Sequence, residues 1–311
     1  MGAFKKPVAI VNPNSANGST ARQWPKIEAL LKEAIGGFDT LFTQAQGDAA
    51  FLAIEAAKSN CDLIISVGGD GTSNEVVNGL LSENAPEKKP VLAIIPRGTG
   101  GDFRKTIGIP NVVEEAIKRI SEGKQRKVDA GRMTITDHNG KSVTRYFLNI
   151  TSFGIGGLVD KNVNSSTKAF GGKVSFLIGT VKAFIAYKNQ RVRISFDGGP
   201  FEEMVINNVA VANGRYFGGG MMVAPQAELD DGFFDVVVMG DLSIVEVLKN
   251  GSKVYKGTHM PHPKIRLIRA KTVKAEPVDP AEHVLMDVDG EAPGRLPATF
   301  EIIPSALSVI S

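Results

Sequence analysis

Apolar positions follow two rhythms along this chain of 311 residues, and the change between them divides it. Through about residue 122, short apolar runs of strand length alternate with stretches of helical period. Residues 7–11, 38–42, 62–67 and 91–95 read as strands. A helix from about Pro25 carries Ile27, Leu30, Leu31 and Ala34 on one face, with the proline at the first helical position. A second is capped by Asp48 and runs to about Lys58. A third follows Thr72, with Val76, Val77, Leu80 and Leu81 on one face. Thr72 as N-cap and Glu75 three residues on spell a capping box. A fourth covers residues 112–121. Such alternation predicts a doubly wound, mostly parallel sheet with helices on both faces, and ligands at the carboxyl ends of its strands.

From about residue 127 the helical period recedes. Residues 133–136 and 142–149 flank Asp137-His138-Asn139-Gly140, a hairpin signal because Asn-Gly tolerates positive φ. Further strands are expected at 192–196, 205–212, 233–239, 265–270 and 284–287. Only 173–188 and 243–255 look helical. The second half therefore reads as an antiparallel β-sandwich or open barrel. The expected division is an α/β domain over residues 1–126 and a β-sandwich domain over 127–300. A tail at 301–311 is expected to return to the first domain.

Composition adds little and excludes some classes. Hydrophobic content of 42% and charged content of 22% are ordinary for a globular protein. A formal net charge of +3 is too small to argue for nucleic acid. Cys61 stands alone, so no internal disulfide is expected and a reducing compartment is the default. It reads as packing beside a strand. No Cys/His spacing suggests zinc, and His259-x-x-His262 contains Pro261. The opening MGAFKK runs straight into a strand, so no signal peptide is expected. The most apolar stretch, residues 174–187, holds Lys182 and is shorter than the ~20 residues of a membrane span. A membrane would be met from outside.

The candidate chemistry centres on residues 62–75, DLIISVGGDGTSNE. Glycines let backbone approach a ligand, and the first turn of the following helix offers free N–H groups to an anion. Phosphate suits such a turn. Asp70 does not, unless it holds a metal or a proton. The simpler alternative is a tight βα turn with a capping aspartate. Loops 12–20 and 96–103 fall at the same sheet edge. No P-loop and no dinucleotide fingerprint is present, and FGIGG at 153–157 sits in another context. In the second half, residues 213–225 gather Gly218, Gly219 and Gly220. ELDDGFFD at 228–235 could offer oxygens to a hard cation or simply form an Asp-Gly turn. DVDGE at 287–291 sets three carboxylates on a turn. These residue types fit phosphoryl transfer, which needs backbone donors for phosphates, a divalent cation, and a carboxylate to orient or deprotonate the attacking hydroxyl.

The ordered set resembles the soluble lipid kinases of the bacterial diacylglycerol kinase type, relatives of sphingosine kinases. It also shares GGDGT with NAD kinases. The motifs are Asn12-Pro13-Asn14-Ser15-Ala16, GGDGTSNE at 68–75, PRGTGGDF at 96–103, NGRYFGGG at 213–220, APQAELDDG at 224–232 and DGE at 289–291. The resemblance implies ATP and Mg²⁺ as cofactors and a lipid alcohol as acceptor, with diacylglycerol giving phosphatidic acid. It places nucleotide contacts at Asn12, Pro13, Asn14, Ser15, Ala16, Thr43, Gly69, Asp70, Gly71, Thr72, Ser73, Asn74, Glu75 and Thr99. Glu291 becomes the general base and Asp70 the holder of the Mg²⁺–phosphate network. A structural magnesium loop is implied at Asp231, with the carbonyls of Glu228 and Phe233. The implied fold is the NAD kinase/diacylglycerol kinase type, with the active site in the cleft between the domains. The implied location is cytoplasmic, at the inner face of the membrane, and a homodimer is the default assembly.

Two departures from the motifs stand out: Ala16 in place of glycine, and Gly101 in place of an asparagine before Asp102. The competing readings are an NAD kinase, which leaves PRGTGGDF, DDG and DGE unexplained, a sphingoid-base kinase, and a non-catalytic lipid-binding protein. The helix around residues 176–187 either contributes to acyl-chain binding or packs on the sheet.

Overall fold

A fully buried run, Pro7–Val11 (β1), starts the fold in the computed structural model, which describes residues 4–98, 100–157, 187–288 and 292–311. The chain forms two units, one of residues 1–130 with 303–311 and the other of residues 131–302. The boundaries fall inside the strands Gln125–Asp137 (β5) and Gly294–Ile310 (β15).

In the first unit, Asp39–Phe42 (β2), β1, Leu63–Gly68 (β3) and Val91–Pro96 (β4) lie side by side in that order, all parallel. The end of β15 joins beside β4, with Val309 opposite Leu92. β3 is buried throughout, as expected for a strand covered on both faces. Around it run the helices Ser19–Ile35 (α1), Asp48–Lys58 (α2), Asp70–Leu81 (α3), Asp102–Thr106 (α4) and Val113–Glu122 (α5). Cys61 is buried, and burial raises its thiol to about 11, so it packs rather than reacts.

Three helix starts differ from the sequence reading. α1 begins at Ser19, and Pro25 lies inside it. Trp24, Ile27 and Leu31 are buried on either side, and their packing outweighs the one hydrogen bond a proline removes. α3 begins at Asp70 with Gly69 as N-cap, so the Thr72–Glu75 capping box does not form. Thr72 Oγ1 accepts from Asn12 Nδ2 (3.0 Å), and Glu75 Oε2 accepts from the amide of Ala49 (3.1 Å). Asp48 lies in the first turn of α2 and turns back, its Oδ2 accepting from the amides of Gln44 and Ala45.

α2 and α3 touch through a glycine. A Cβ on Gly79 would lie 2.9 Å from Ala50 Cα and closer still to its carbonyl oxygen. Backbone cannot swing aside as a side chain does. Gly79→Ala should lower stability by about 1–3 kcal/mol. Urea denaturation checks this, and a variant as stable as wild type would contradict the close approach.

The second unit is a sandwich of two antiparallel arrays. One runs Ile265–Ala270 (β12), Phe234–Met239 (β11), Asn208–Ala212 (β10), Ile150–Gly154 (β7) and Met286–Val288 (β14). The other pairs Glu202–Ile206 (β9), Gln190–Phe196 (β8), Thr272–Pro277 (β13) and β15 in that order. β5 forms the expected hairpin with Ser142–Phe147 (β6), Gly140 taking φ 79°. Phe147 stacks on Phe234 and Phe153 on Phe300 at the centre, all fully buried. The strand expected at 205–212 is in fact two, in different sheets. The chain switches at Asn207, whose amide bonds to the carbonyls of Met239 and Gly240. Ile244–Lys256 (α6) forms as expected, with a true capping box at Ser243 and Glu246. The helix expected at 173–188 lies, apart from its last two residues, outside the described residues.

Candidate active site

Because β1 to β4 are parallel, Val11, Phe42, Gly68 and Pro96 finish at one edge. The residue after each strand is fixed by its neighbour. Asn12 N donates to Val67 O (3.0 Å), Thr43 N to Val11 O (3.0 Å) and Arg97 N to Gly68 O (2.7 Å). These bonds place the loops after β1, β2, β3 and β4 side by side, as open α/β sheets do at a ligand edge.

The loop after β1 is folded by its own polar side chains. Asn12 Oδ1 accepts from Asn14 N (3.0 Å), and Ser15 Oγ donates to Asn12 O (2.8 Å) and meets Thr20 Oγ1 at 2.6 Å. Pro13 O accepts from Ala21 N (3.2 Å), which ties the loop to the start of α1. Ala16 takes φ 50°, followed by Asn17 at 55° and Gly18 at 75°. Ala16 therefore holds a left-handed conformation that a glycine would adopt freely and an alanine resists.

The loop after β3 is glycine backbone. Gly69 is extended and has no side chain with which to cap the first amides of α3. Those amides carry the positive end of the helix dipole. Gly71 lies in that turn beside Asp70. Ser73 turns inward to Ser66 (3.0 Å), Asn74 accepts from Asn78 Nδ2, and Glu75 caps α2. Gly69, Asp70, Gly71 and Thr72 thus remain at the edge, whereas Ser73 and Glu75 serve the scaffold.

The loop after β4 lies directly on this turn. A Cβ on Gly98 would sit 2.7 Å from Gly69 Cα, and one on Gly100 2.6 Å from Asp70 Oδ2. Gly101 N donates to Asp70 Oδ2 at 2.6 Å. Burial pushes the Asp70 carboxyl above the ordinary aspartate range. The Gly101 amide opposes that shift, and nearby Asp102 adds to it. Asp102 is itself buried and paired with Lys105 Nζ at 2.7 Å. Thr99 lies outside the described residues.

One residue was not singled out by sequence. Arg97 reaches the start of α1, donating through Nη2 to Ser19 Oγ (2.9 Å) and through Nε to Thr20 Oγ1 (3.4 Å). It sets a guanidinium, the side chain best shaped for phosphate, at the edge where the glycine turns meet. Its place inside PRGTGGDF was the available signal.

The acidic loop of the second unit is built differently. Asp231 Oδ1 accepts from Phe233 N (3.0 Å), while its Oδ2 pairs with Arg269. The Arg269 guanidinium also covers the Phe233 ring, 4.6 Å from its centroid. Among the described residues, no three His, Cys, Asp or Glu side chains gather to hold a metal. The loop carries the carboxylates of Glu228, Asp230 and Asp231, together with backbone carbonyls such as those of Glu228 and Phe233. Nearby Asp235 is buried and its Oδ2 has no partner. Burial raises its carboxyl, and Asp231 and Glu228 add to the shift against the pull of Arg269. Hard oxygens beside an unsatisfied carboxylate fit a hard divalent cation. Asp289, Gly290 and Glu291 lie outside the described residues.

Comparison with known proteins covers both units. Residues 6–133 match the diacylglycerol kinase catalytic domain, and residues 149–311 match the YegS C-terminal NAD kinase beta sandwich-like domain. The chain is 32% identical to the diacylglycerol kinase of Staphylococcus carnosus (strain TM300) over 299 residues, 95% of this chain and 92% of that one. It is also 32% identical to the diacylglycerol kinase of Staphylococcus aureus (strain MRSA252), covering 95% and 89%. The crystal structure of a diacylglycerol kinase from Bacillus anthracis aligns with a TM-score of 0.74 at 29% identity, covering 100% of this chain and 98% of that one.

Proposed function

The chain belongs to the diacylglycerol kinase family, and from that premise we propose that it transfers the γ-phosphoryl group of ATP, with Mg²⁺, to diacylglycerol to give phosphatidic acid. The observation that carries the reading is the contact between the two glycine turns, Gly69 against Gly98, beside the first turn of α3. Backbone donors packed this closely suit phosphate oxygens, which accept from N–H groups and need no side chain. Asn12, Pro13, Asn14, Ser15 and Ala16, with Thr43, Gly69–Thr72 and Thr99, form the proposed nucleotide site. Ser73, Asn74 and Glu75 hold its scaffold. Arg97 adds a cation for the phosphates.

The chemistry divides among few residues. Phosphoryl transfer through a loose transition state asks mainly for positioning and charge neutralisation. Asp70 is the carboxylate that would hold Mg²⁺ against the phosphates, where the metal supplies the charge neutralisation. Asp231, with the carbonyls of Glu228 and Phe233, would hold a second, structural Mg²⁺. Glu291 accepts the proton of the attacking lipid hydroxyl.

The test is direct. The purified protein is incubated with labelled ATP and Mg²⁺ and, in separate reactions, with detergent-dispersed diacylglycerol, sphingosine or NAD. Labelled phosphatidic acid is the expected product, absent in Glu291→Ala. Labelled NADP or sphingosine phosphate in its place would overturn the choice of acceptor. Full turnover in Glu291→Ala would remove the base.

A further inference from the structure

Helix α6 in the second unit has an apolar face that the described residues of its own unit leave exposed. None of its thirteen residues is buried. Val254 seats its inner side on the small cluster around Val223 and Val237. The outer side carries Leu248, 71% exposed, with Ile244 at 43% and Tyr255 at 54%. At about 100° per residue these three lie within about 40° of one another on the helix surface. Val245, 54% exposed, widens the stripe toward Lys249, Lys253 and Lys256, all exposed along one flank. The only carboxylate of the helix, Glu246, is turned away. It accepts from Ser243 N and Oγ and pairs with Lys264 at 2.9 Å.

We infer that α6 is a membrane-docking helix that lies in the surface of an anionic bilayer, its stripe of Ile244, Val245, Leu248 and Tyr255 among the acyl chains. Length and apolarity do not allow it to span, and no described helix is long and apolar enough to cross a membrane. An apolar face bordered by lysines, with a tyrosine near its end, is the pattern of a helix at the water–lipid interface. The charges select the occupant. Anionic headgroups neutralise Lys249, Lys253 and Lys256 together. A second copy would not: a two-fold contact through the stripe brings two sets of three lysines toward one seam, and α6 has no carboxylate left to pair with them. The inference rests on the lipid-kinase reading only for the reason a bilayer matters.

The experiment is co-sedimentation of the full-length protein with vesicles, of phosphatidylcholine alone or mixed with phosphatidylglycerol. Wild type should pellet with the anionic vesicles, less so as salt rises, and stay in solution with phosphatidylcholine. Lys249→Gln/Lys253→Gln/Lys256→Gln should weaken anionic binding about 100-fold, roughly fivefold per lysine. Leu248→Ser should weaken it by about tenfold or more. Both sets are exposed and should keep the wild-type melting temperature. They should also phosphorylate detergent-dispersed diacylglycerol at the wild-type rate, since no bilayer takes part. Equal binding to both vesicle types, or variants that bind as wild type, would overturn the inference. So would a wild-type dimer in sedimentation velocity that Leu248→Ser splits, since the stripe would then join two copies. Wild type inactive on dispersed lipid but bound to anionic vesicles would remove the kinase reading and leave the docking helix.

Discussion

Asp70→Asn should lower the turnover of lipid phosphorylation by about 10²–10³-fold and, in the same molecule, raise the melting temperature of the ligand-free protein at neutral pH. The loss follows from the role proposed for the carboxylate in charge neutralisation, where one electrostatic group is worth about that factor. The gain follows from its surroundings. Burial pushes the Asp70 carboxyl above its ordinary range, Asp102 adds to the shift, and Gly101 N and Lys105 only oppose it. A carboxylate with a raised native pKa supports the fold below its ordinary pKa and loses that contribution as pH rises through the raised value. As pH rises through that raised value, the ligand-free protein comes to hold a desolvated charge that unfolding would release. Asparagine keeps the shape and can still accept from Gly101 N through Oδ1. Thermal melts of both proteins from about pH 4 to pH 8 should show the advantage of the variant growing with pH and shrinking in acid. A variant less stable than wild type at pH 7 would mean that the Gly101 bond needs the charge. Unchanged turnover would mean that Asp70 only shapes the turn. Stability gained where activity is lost is the mark of a site held strained for function.

Much of this site could be read from the chain because its signals are local. LIISVG runs without a spacer into Gly69 and a helix, and that short stretch identifies strand, turn and helix together. The same holds for the alternation that makes β1 to β4 parallel, and hence for the edge where loops 12–20, 68–72 and 96–103 assemble. The start of α3 departs from the sequence pattern for a physical reason. Thr72 and Glu75 have capping chemistry, but Asn12 and Ala49, remote in sequence, take up their side chains. Arg97 leaves no such signal, because a cation in a loop has no period and its partners Ser19 and Thr20 lie 78 and 77 residues away. The Asp231–Arg269 pair spans 38 residues and two strands. The sheet switch at Asn207 hides inside one unbroken β-favouring run, since propensity reports a strand but not the sheet it joins.

Gly98→Ala should lower kcat/KM for ATP about a hundredfold while leaving the melting temperature within a few degrees of wild type. The reason is that the two glycine turns meet backbone to backbone at Gly98 and Gly69. The new methyl would sit 2.7 Å from Gly69 Cα, and relief requires the loops after β3 and β4 to part by about 1 Å, a misplacement that costs about 10²-fold when it falls on groups that position a reactant. Both loops are at the end of the sheet, so they can separate without opening the core beneath them. Gly100→Ala should do less, because its methyl meets a side-chain oxygen, Asp70 Oδ2, that can swing aside once it lets go of Gly101 N. Gly37→Ala is the control, with no atom within 4 Å of its Cβ and no positive φ to strain. Steady-state kinetics on the three variants should rank them Gly98→Ala, Gly100→Ala, Gly37→Ala from most to least impaired, with the rise concentrated in KM for ATP rather than for lipid. If Gly98→Ala instead raised KM for the lipid and spared ATP, the glycine contact would face the acceptor, and the nucleotide would have to be sought away from the ends of β3 and β4.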